Sequence, residues 1–484
     1  MRKVFSVLLV LALSLSICAC GTTAPAQETV ATEAKSQFLV GYSKVDITPS
    51  QYGIKMGGYG NEADRLSRGL GSYIYAIALA FTDAEGNTAV VMSVDNCSLG
   101  AAVCDTIRSW AETKLAIPKA NILISSIHQH STPVSTDGNY RPELENGLKK
   151  AITDAIEDQA PAEMYFNKIE APSMSFIRRA WYKDGGFVTS HSGDRSSGFD
   201  HYESESDKEM RLVKFTREEK EDIILVNFQG HPHMGTSSTM TDIHSDWPGV
   251  MRDEVAKQLG AHCIYFSGAG GNMNSSSYDA SQNISSDWRH HGQRGANFVI
   301  EAEGSYTKAQ LGTIRCLEQT ITYEVDHSLD HLIFAASAVA GARSSGGMDA
   351  AKQELKNWPE LNSVFQASAV SSKASMGQTL DCTISVITFG DIAFTAHPYE
   401  MFDSNGMELR AGTVGNANYN AEDQLENPFE MTIVTTIANG SVGYIPSTLG
   451  FTNGGYERDT TKYAKGTGEL MVGDYLAMLN QLHD

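Results

Sequence analysis

Ile122-Leu123-Ile124-Ser125-Ser126-Ile127 is an apolar run that stops at His128-Gln129-His130-Ser131-Thr132. A short run of this kind, bounded by polar residues, suits a strand buried on both faces in a sheet covered by helices. Upstream, Ala101–Leu115 has helix-like spacing, so a helix leads into this strand. Further out, Ile74–Thr82 and Thr88–Asp95 flank Asp83-Ala84-Glu85-Gly86-Asn87, a hairpin signal. In the other direction come a helix at Pro142–Glu157 and strands near Glu163–Ile169 and Asp222–Phe228. Asp246-Trp247-Pro248 opens the next helix with a capping residue and an early proline, and Gly260 closes it before the strand Cys263–Phe266. A helical and polar region around 328–375 precedes strands at Cys382–Thr388 and Ile392–Thr395, which flank the tight-turn pair Gly390-Asp391. Glu469–Leu482 is again helical. The expected fold class is α/β, with mixed β-sheets flanked by helices. Neither a fixed-period repeat nor a long linker interrupts residues 38–484.

The 484 residues carry 37 Lys+Arg against 58 Asp+Glu, a net charge of −21. Without a dense basic run, this balance argues against duplex nucleic acid as a partner and against electrostatic adhesion to anionic lipid. A 41% hydrophobic content with 43 glycines excludes disorder of the whole chain. Met1-Arg2-Lys3 followed by an apolar run from Val4 to Ile17 is a secretory signal, too short for a membrane-spanning helix. Its junction, Cys18-Ala19-Cys20-Gly21, resembles a bacterial lipoprotein signal. Cys20 fits lipidation better than Cys18, which follows the bulky Ile17. Residues 1–19 are therefore expected to be a signal peptide and 20–37 a flexible tether. The protein is expected to be exported and anchored to a membrane by its lipid, with secretion as the alternative. Cys97, Cys104, Cys263, Cys316 and Cys382 are odd in number and contain no C-x-x-C pair, so inert buried thiols are expected, with at most one bridge.

Polar clusters sit where apolar strands end, which is where α/β sheets place their sites. His128 and His130 share a face of an extended segment. Gly230-His231-Pro232-His233 follows a second strand, with His244-Ser245-Asp246 soon after, and Ala396-His397-Pro398-Tyr399-Glu400 follows a third. Imidazoles at several strand ends favour a metal site. H-E-x-x-H and G-x-S-x-G are both absent. Gly268-Ala269-Gly270-Gly271-Asn272 lacks the phosphate-loop and dinucleotide spacings and is read as close backbone packing beside a pocket.

At these residues the sequence resembles the catalytic domain of the neutral/alkaline ceramidases, over about 38–484. Val40-Gly41-Tyr42-Ser43-Lys44-Val45-Asp46-Ile47-Thr48-Pro49 with Met56-Gly57-Gly58-Tyr59-Gly60 resembles the family's "G-x-G-x-x-D-I-T … M-x-G-Y" opening. Ser126-Ile127-His128-Gln129-His130-Ser131 matches "H-T-H-S", and Asn227-Phe228-Gln229-Gly230-His231-Pro232 the second histidine segment. Gly268-Ala269-Gly270-Gly271-Asn272-Met273-Asn274 resembles "G-x-x-G-D-V-S/N". Ala438-Asn439-Gly440-Ser441-Val442-Gly443-Tyr444-Ile445-Pro446 and Gly455-Tyr456-Glu457 match the closing "A-N-x-x-x-G-Y-V" and "Y-E".

The resemblance implies a neutral-ceramidase-like fold holding one zinc ion by His128, His231, Glu400 and Tyr444. It implies an amidase that cleaves the N-acyl bond of ceramide, or of a related N-acyl lipid, to a fatty acid and an amine through zinc-activated water. It places His130, Arg178 and Tyr456 about the reacting carbon. His130 is expected to pass a proton to the leaving amine, while Arg178 and Tyr456 stabilise the oxyanion. Asp46 and Asn274 are expected to border the substrate. His233 and His244 stay outside the ligand set, and Arg179 beside Arg178 is a candidate for a structural ion pair. This chain departs from the family at Ile177, where the pattern has Asn. The family's glycine-rich "S-G-P-G" becomes Ser131-Thr132-Pro133-Val134, and Asn274 stands where some members carry serine. The resemblance implies a short form, expected to be without the C-terminal immunoglobulin-like domain of larger members. Two alternatives are a zinc esterase acting on acyl esters and a non-catalytic binding lipoprotein on the same scaffold.

Overall fold

The strand Tyr75–Thr82 shows how the layers arise, because its alternate residues face two different cores. In this computed structural model, which describes residues 37–60, 65–189, 194, 196–275, 287–414 and 425–483, it is buried on both sides. Ile77, Leu79 and Phe81 pack toward a second sheet, where the Phe81 ring lies 4.7 Å from that of Phe389. Ala76, Ala78 and Ala80 face Val103, Ile107, Leu144 and Ile152 of the helices Ala101–Leu115 and Arg141–Glu157. The period of two thus puts one set of side chains between sheets and the other beneath helices.

The first sheet runs, in spatial order, 262–267, 223–228, 209–217, 160–170, 39–46, 75–82, 88–94 and 122–126, with Thr307–Lys308 added beside 160–170. The pairs 223–228 with 262–267 and 88–94 with 122–126 are parallel, and the other pairs along this order are antiparallel. The second sheet has the order 315–324, 379–389, 392–397 and 431–436, its last pair parallel. Its outer face is covered by the helix Thr467–His483 through Met471, Tyr475, Leu476 and Leu479. The helices Asp246–Leu259 and Trp288–Glu301 cover the far half of the first sheet. The result is a helix–sheet–sheet–helix sandwich, the expected mixed α/β class. The described residues fall within one compact unit, Ser36–Asp484. Cys18, Cys20 and the tether up to residue 36 lie outside the described residues.

Two strands escape the hydropathy pattern. Glu209–Arg217, inside the first sheet, carries Arg211, Lys214 and Arg217, whose charges are matched by Asp207, Asp222 and Asp158. Arg315–Glu324 forms the edge of the second sheet and alternates polar side chains. The helix opened by Asp246 also differs from expectation. Ser245 is its N-cap and makes no capping bond, whereas Asp246 adopts a φ of 48°. Its buried carboxylate accepts from the N–H groups of Trp247 and Gly235, both at 2.8 Å, so it fastens the loop after His231. All five described cysteines are free, and four of them are buried.

The parallel strands end at one edge, and there the two sheets are stitched together. Ser126 N–H donates to Ile437 O at 3.0 Å, and Thr436 Oγ1 to Gly268 O at 3.0 Å.

Candidate active site

His128, His231, Glu400 and Tyr444 come to this edge from four different strand ends. His128 follows Ile122–Ser126 and has a left-handed φ of 66°, a turn that points its ring back along the edge. Its Nδ1–H donates to Cys97 O at 3.0 Å, and that of His231 to Met273 O at 2.7 Å. With both Nδ1 atoms occupied by carbonyls, each Nε2 presents a lone pair, the arrangement that outer partners impose on ligating imidazoles. Both Nε2 atoms lie 3.2 Å from Glu400 Oε2, and the three ligand atoms are within 4.8 Å of one another. Two ring nitrogens and a carboxylate oxygen converging in a buried space form a group able to hold a metal ion. The donor set of two nitrogens and one oxygen suits zinc, so the residues fit the ion. Burial opposes a charge on Glu400, but the facing His128 and His231 hold its carboxyl well below the usual range. Burial and the neighbouring Arg178 bring His231 down to about 4, so it is a neutral imidazole near pH 7.

Tyr444 reaches the site by strand register. Glu400–Met401 pairs in parallel with Tyr444–Ile445, with Glu400 opposite Tyr444. Arg178 donates to Tyr444 Oη at 3.2 Å and to Gly271 O at 2.7 Å, and its other terminal nitrogen lies 3.4 Å from His231 Nε2. Tyr456 packs edge-on to Tyr444 at 5.5 Å between ring centroids. Its phenol is pushed up to about 12 by burial, which keeps it an O–H donor near neutral pH. His130 Nε2 is 3.2 Å from His128 Nε2. Burial, together with the surrounding His128, His233, His231 and Arg65, holds the His130 pKa well below 6.5.

The glycine-rich loop packs as the sequence suggests. A Cβ on Gly271 would lie 2.6 Å from Glu400 O, so only glycine lets this loop meet the strand that carries Glu400. Asn274 is buried beside the cluster, its Oδ1 3.1 Å from His233 Nε2. His244 bonds Ser131 and Gly235 O and stacks on Trp288, away from the ligand set. Asp46 has a local role: its exposed carboxylate accepts from Thr48 N–H at 2.8 Å and caps its own turn.

The structure separates the two adjacent arginines. Arg178 faces the cluster, while Arg179 is held by Glu203 at 2.7 Å, Glu457 at 2.6 Å and the carbonyls of Gly450 and Gly454. Glu457, which sequence reasoning did not single out, bridges the pair by also accepting from Arg178 Nε at 2.7 Å. Its only signal was its place beside Tyr456 in the "Y-E" motif.

Known proteins agree with this frame. Residues 38–263 match the family model described as neutral/alkaline non-lysosomal ceramidase, N-terminal. The chain is 23% identical over 243 residues to a neutral ceramidase of Oryza sativa subsp. japonica, a stretch covering 46% of this chain and 30% of that one. It is 26% identical over 155 residues to neutral ceramidase B of Dictyostelium discoideum, covering 29% of this chain and 21% of that one. The matched stretches thus span less than a third of these relatives. The fold is similar to the crystal structure of neutral ceramidase from Pseudomonas aeruginosa, with a TM-score of 0.69 and 15% identity over 92% of this chain and 75% of that chain.

Proposed function

We propose, for a chain that residues 38–263 make a member of the neutral/alkaline non-lysosomal ceramidase family, a zinc-dependent amidase acting on ceramide or a related N-acyl lipid. The observation that carries this reading is the convergence of His128, His231 and Glu400 on one buried point, with Arg178 and Tyr444 beside it. A zinc ion held there supplies Lewis acidity toward the amide carbonyl and brings the pKa of a bound water toward neutrality. The remaining work belongs to side chains. His130, whose Nδ1 is buried without a partner among the described residues, has nothing to stabilise an imidazolium. It therefore gives up a proton readily, and its Nε2 is aimed at the cluster to carry one from water to the amine nitrogen as the C–N bond breaks. Arg178 and Tyr456 are donors near the developing oxyanion. Lipidation at Cys20 and residence at a cell surface complete the reading and rest on the character of the signal sequence.

The test is turnover of a panel of N-acyl amides and matched acyl esters by the purified chain, before and after chelation. Amide hydrolysis that disappears with the metal and returns with zinc is expected. Undiminished amide turnover by metal-free protein, or cleavage of esters alone, rejects the proposal.

The role of His130 has its own check in Gly58. A Cβ there would lie 2.6 Å from His130 Cγ, and the backbone φ of 110° already disfavours a side chain. Gly58→Ala should push the imidazole aside and lower kcat by about 10- to 100-fold, in line with the cost of misplacing a catalytic group by ~1 Å. Wild-type kcat in a variant with the wild-type circular dichroism spectrum would remove His130 from the proton path.

A further inference from the structure

Beside the ligand cluster lies a cavity of about 480 Å³, within the range of small-molecule sites. It shares two walls with the histidines. Cys97 contributes the carbonyl that holds His128, and Gly58 lies against the His130 ring. The polar part of its lining is Lys55, Asn96, Ser98, Ser135, Thr136 and Ser441. Among the described residues that line it, Lys55 is the one charged group and no carboxylate is present. That is notable in a chain of net charge −21.

The wall is firm. Asn96 Nδ2 donates to Pro133 O at 2.8 Å, Val134 N–H to Lys55 O at 2.8 Å, and Ser135 Oγ to Ser98 O at 3.0 Å. The hydroxyls of Ser98, Thr136 and Ser441 and the Lys55 ammonium form no hydrogen bond or salt bridge among the described residues, so they are available to a ligand. This is also where the chain departs from the glycine-rich family pattern, because Val134 lines the cavity and Pro133 O holds the lining Asn96. An aliphatic chain laid against these donors would displace their water and pair with none of them. A carboxylate beside Lys55 would meet a cation in a wall that carries hydroxyl donors and, among the described residues, no acid.

Resting on the amidase reading above, we propose that this cavity receives a carboxylate carried by one arm of the substrate, so that N-acyl compounds with an anionic arm are preferred over neutral ones. The test uses the full chain loaded with zinc and two matched substrate pairs. N-dodecanoyl-β-alanine is compared with N-dodecanoyl-propylamine, and a dicarboxylic acid monoamide with the monocarboxylic amide of equal length. In at least one pair the anionic member should have a kcat/KM higher by about fivefold, mostly through KM, the upper range for a partly exposed charge pair. Lys55→Glu should invert that ratio, and raised salt should bring the wild-type ratio toward one. Turnover of both members without preference, or a ratio indifferent to Lys55→Glu, overturns this proposal and leaves the amidase reading intact. Failure to cleave any amide rejects both.

Discussion

Glu400→Gln is expected to abolish metal retention and to lower kcat/KM by more than about 100-fold, the upper figure for losing an outer partner of a metal ligand. The substitution preserves shape and removes the one negative charge that faces both imidazoles. Glu400 Oε2 stands 3.2 Å from His128 Nε2 and from His231 Nε2, so either orientation of the amide loses the anionic oxygen that completes the set. An amide nitrogen turned inward would bring hydrogens to the place of a cation. With that oxygen gone, the variant should retain little zinc. Elemental analysis of dialysed protein, read beside kcat/KM, checks this. A stoichiometric zinc content with near wild-type turnover would show that Glu400 is not a ligand.

The second large effect is on stability. Glu457→Gln should destabilise the fold by about 3–5 kcal/mol, because removing one partner of a buried ion pair leaves uncompensated charge. Arg178 and Arg179 are both buried and share this carboxylate, at 2.7 Å and 2.6 Å. Arg179 keeps Glu203, whereas Arg178 loses its direct carboxylate partner and with it the anchor that aims it at Tyr444. Chemical denaturation should report the loss. In the surviving folded fraction, kcat should fall by about 100-fold or more, as when one oxyanion donor is removed. Acid adds a check of sign. Although burial opposes it, the two arginines hold the Glu457 pKa below its ordinary value of 4.5. The stabilisation is thus complete above that value and is lost as pH falls through the depressed one. The gap between wild type and variant should be widest near neutrality and close on acidification. A variant as stable as wild type would mean that the arginines find other partners.

Legibility followed the range of the interactions. Ile122–Ser126, Ala101–Leu115 and the turn at Gly390-Asp391 were readable because local alternation and turn chemistry define them. Glu209–Arg217 was not, because its charges are neutralised by residues from other elements, such as Asp158 and Glu303. In the same way Asp246 resembles a helix cap by position, yet its carboxylate holds Gly235, eleven residues upstream. Arg178 and Arg179 are chemically identical neighbours, and nothing local distinguishes them.

What the sequence by itself determined was an α/β chain with histidines at the ends of apolar strands, since side-chain period and strand termini are local properties. It also supplied a family likeness through which His128, His231, Glu400 and Tyr444 were grouped. Only the tertiary structure decided that His128, His231 and Glu400 meet, that Glu400 stands opposite Tyr444, and that Glu457 binds arginines 279 and 278 positions away. It also decided that a cavity lined by a single lysine and several hydroxyls lies against the cluster. The reason is physical: strand register and buried charge pairing depend on which distant backbones share a low-dielectric space, and no local window of sequence contains both partners.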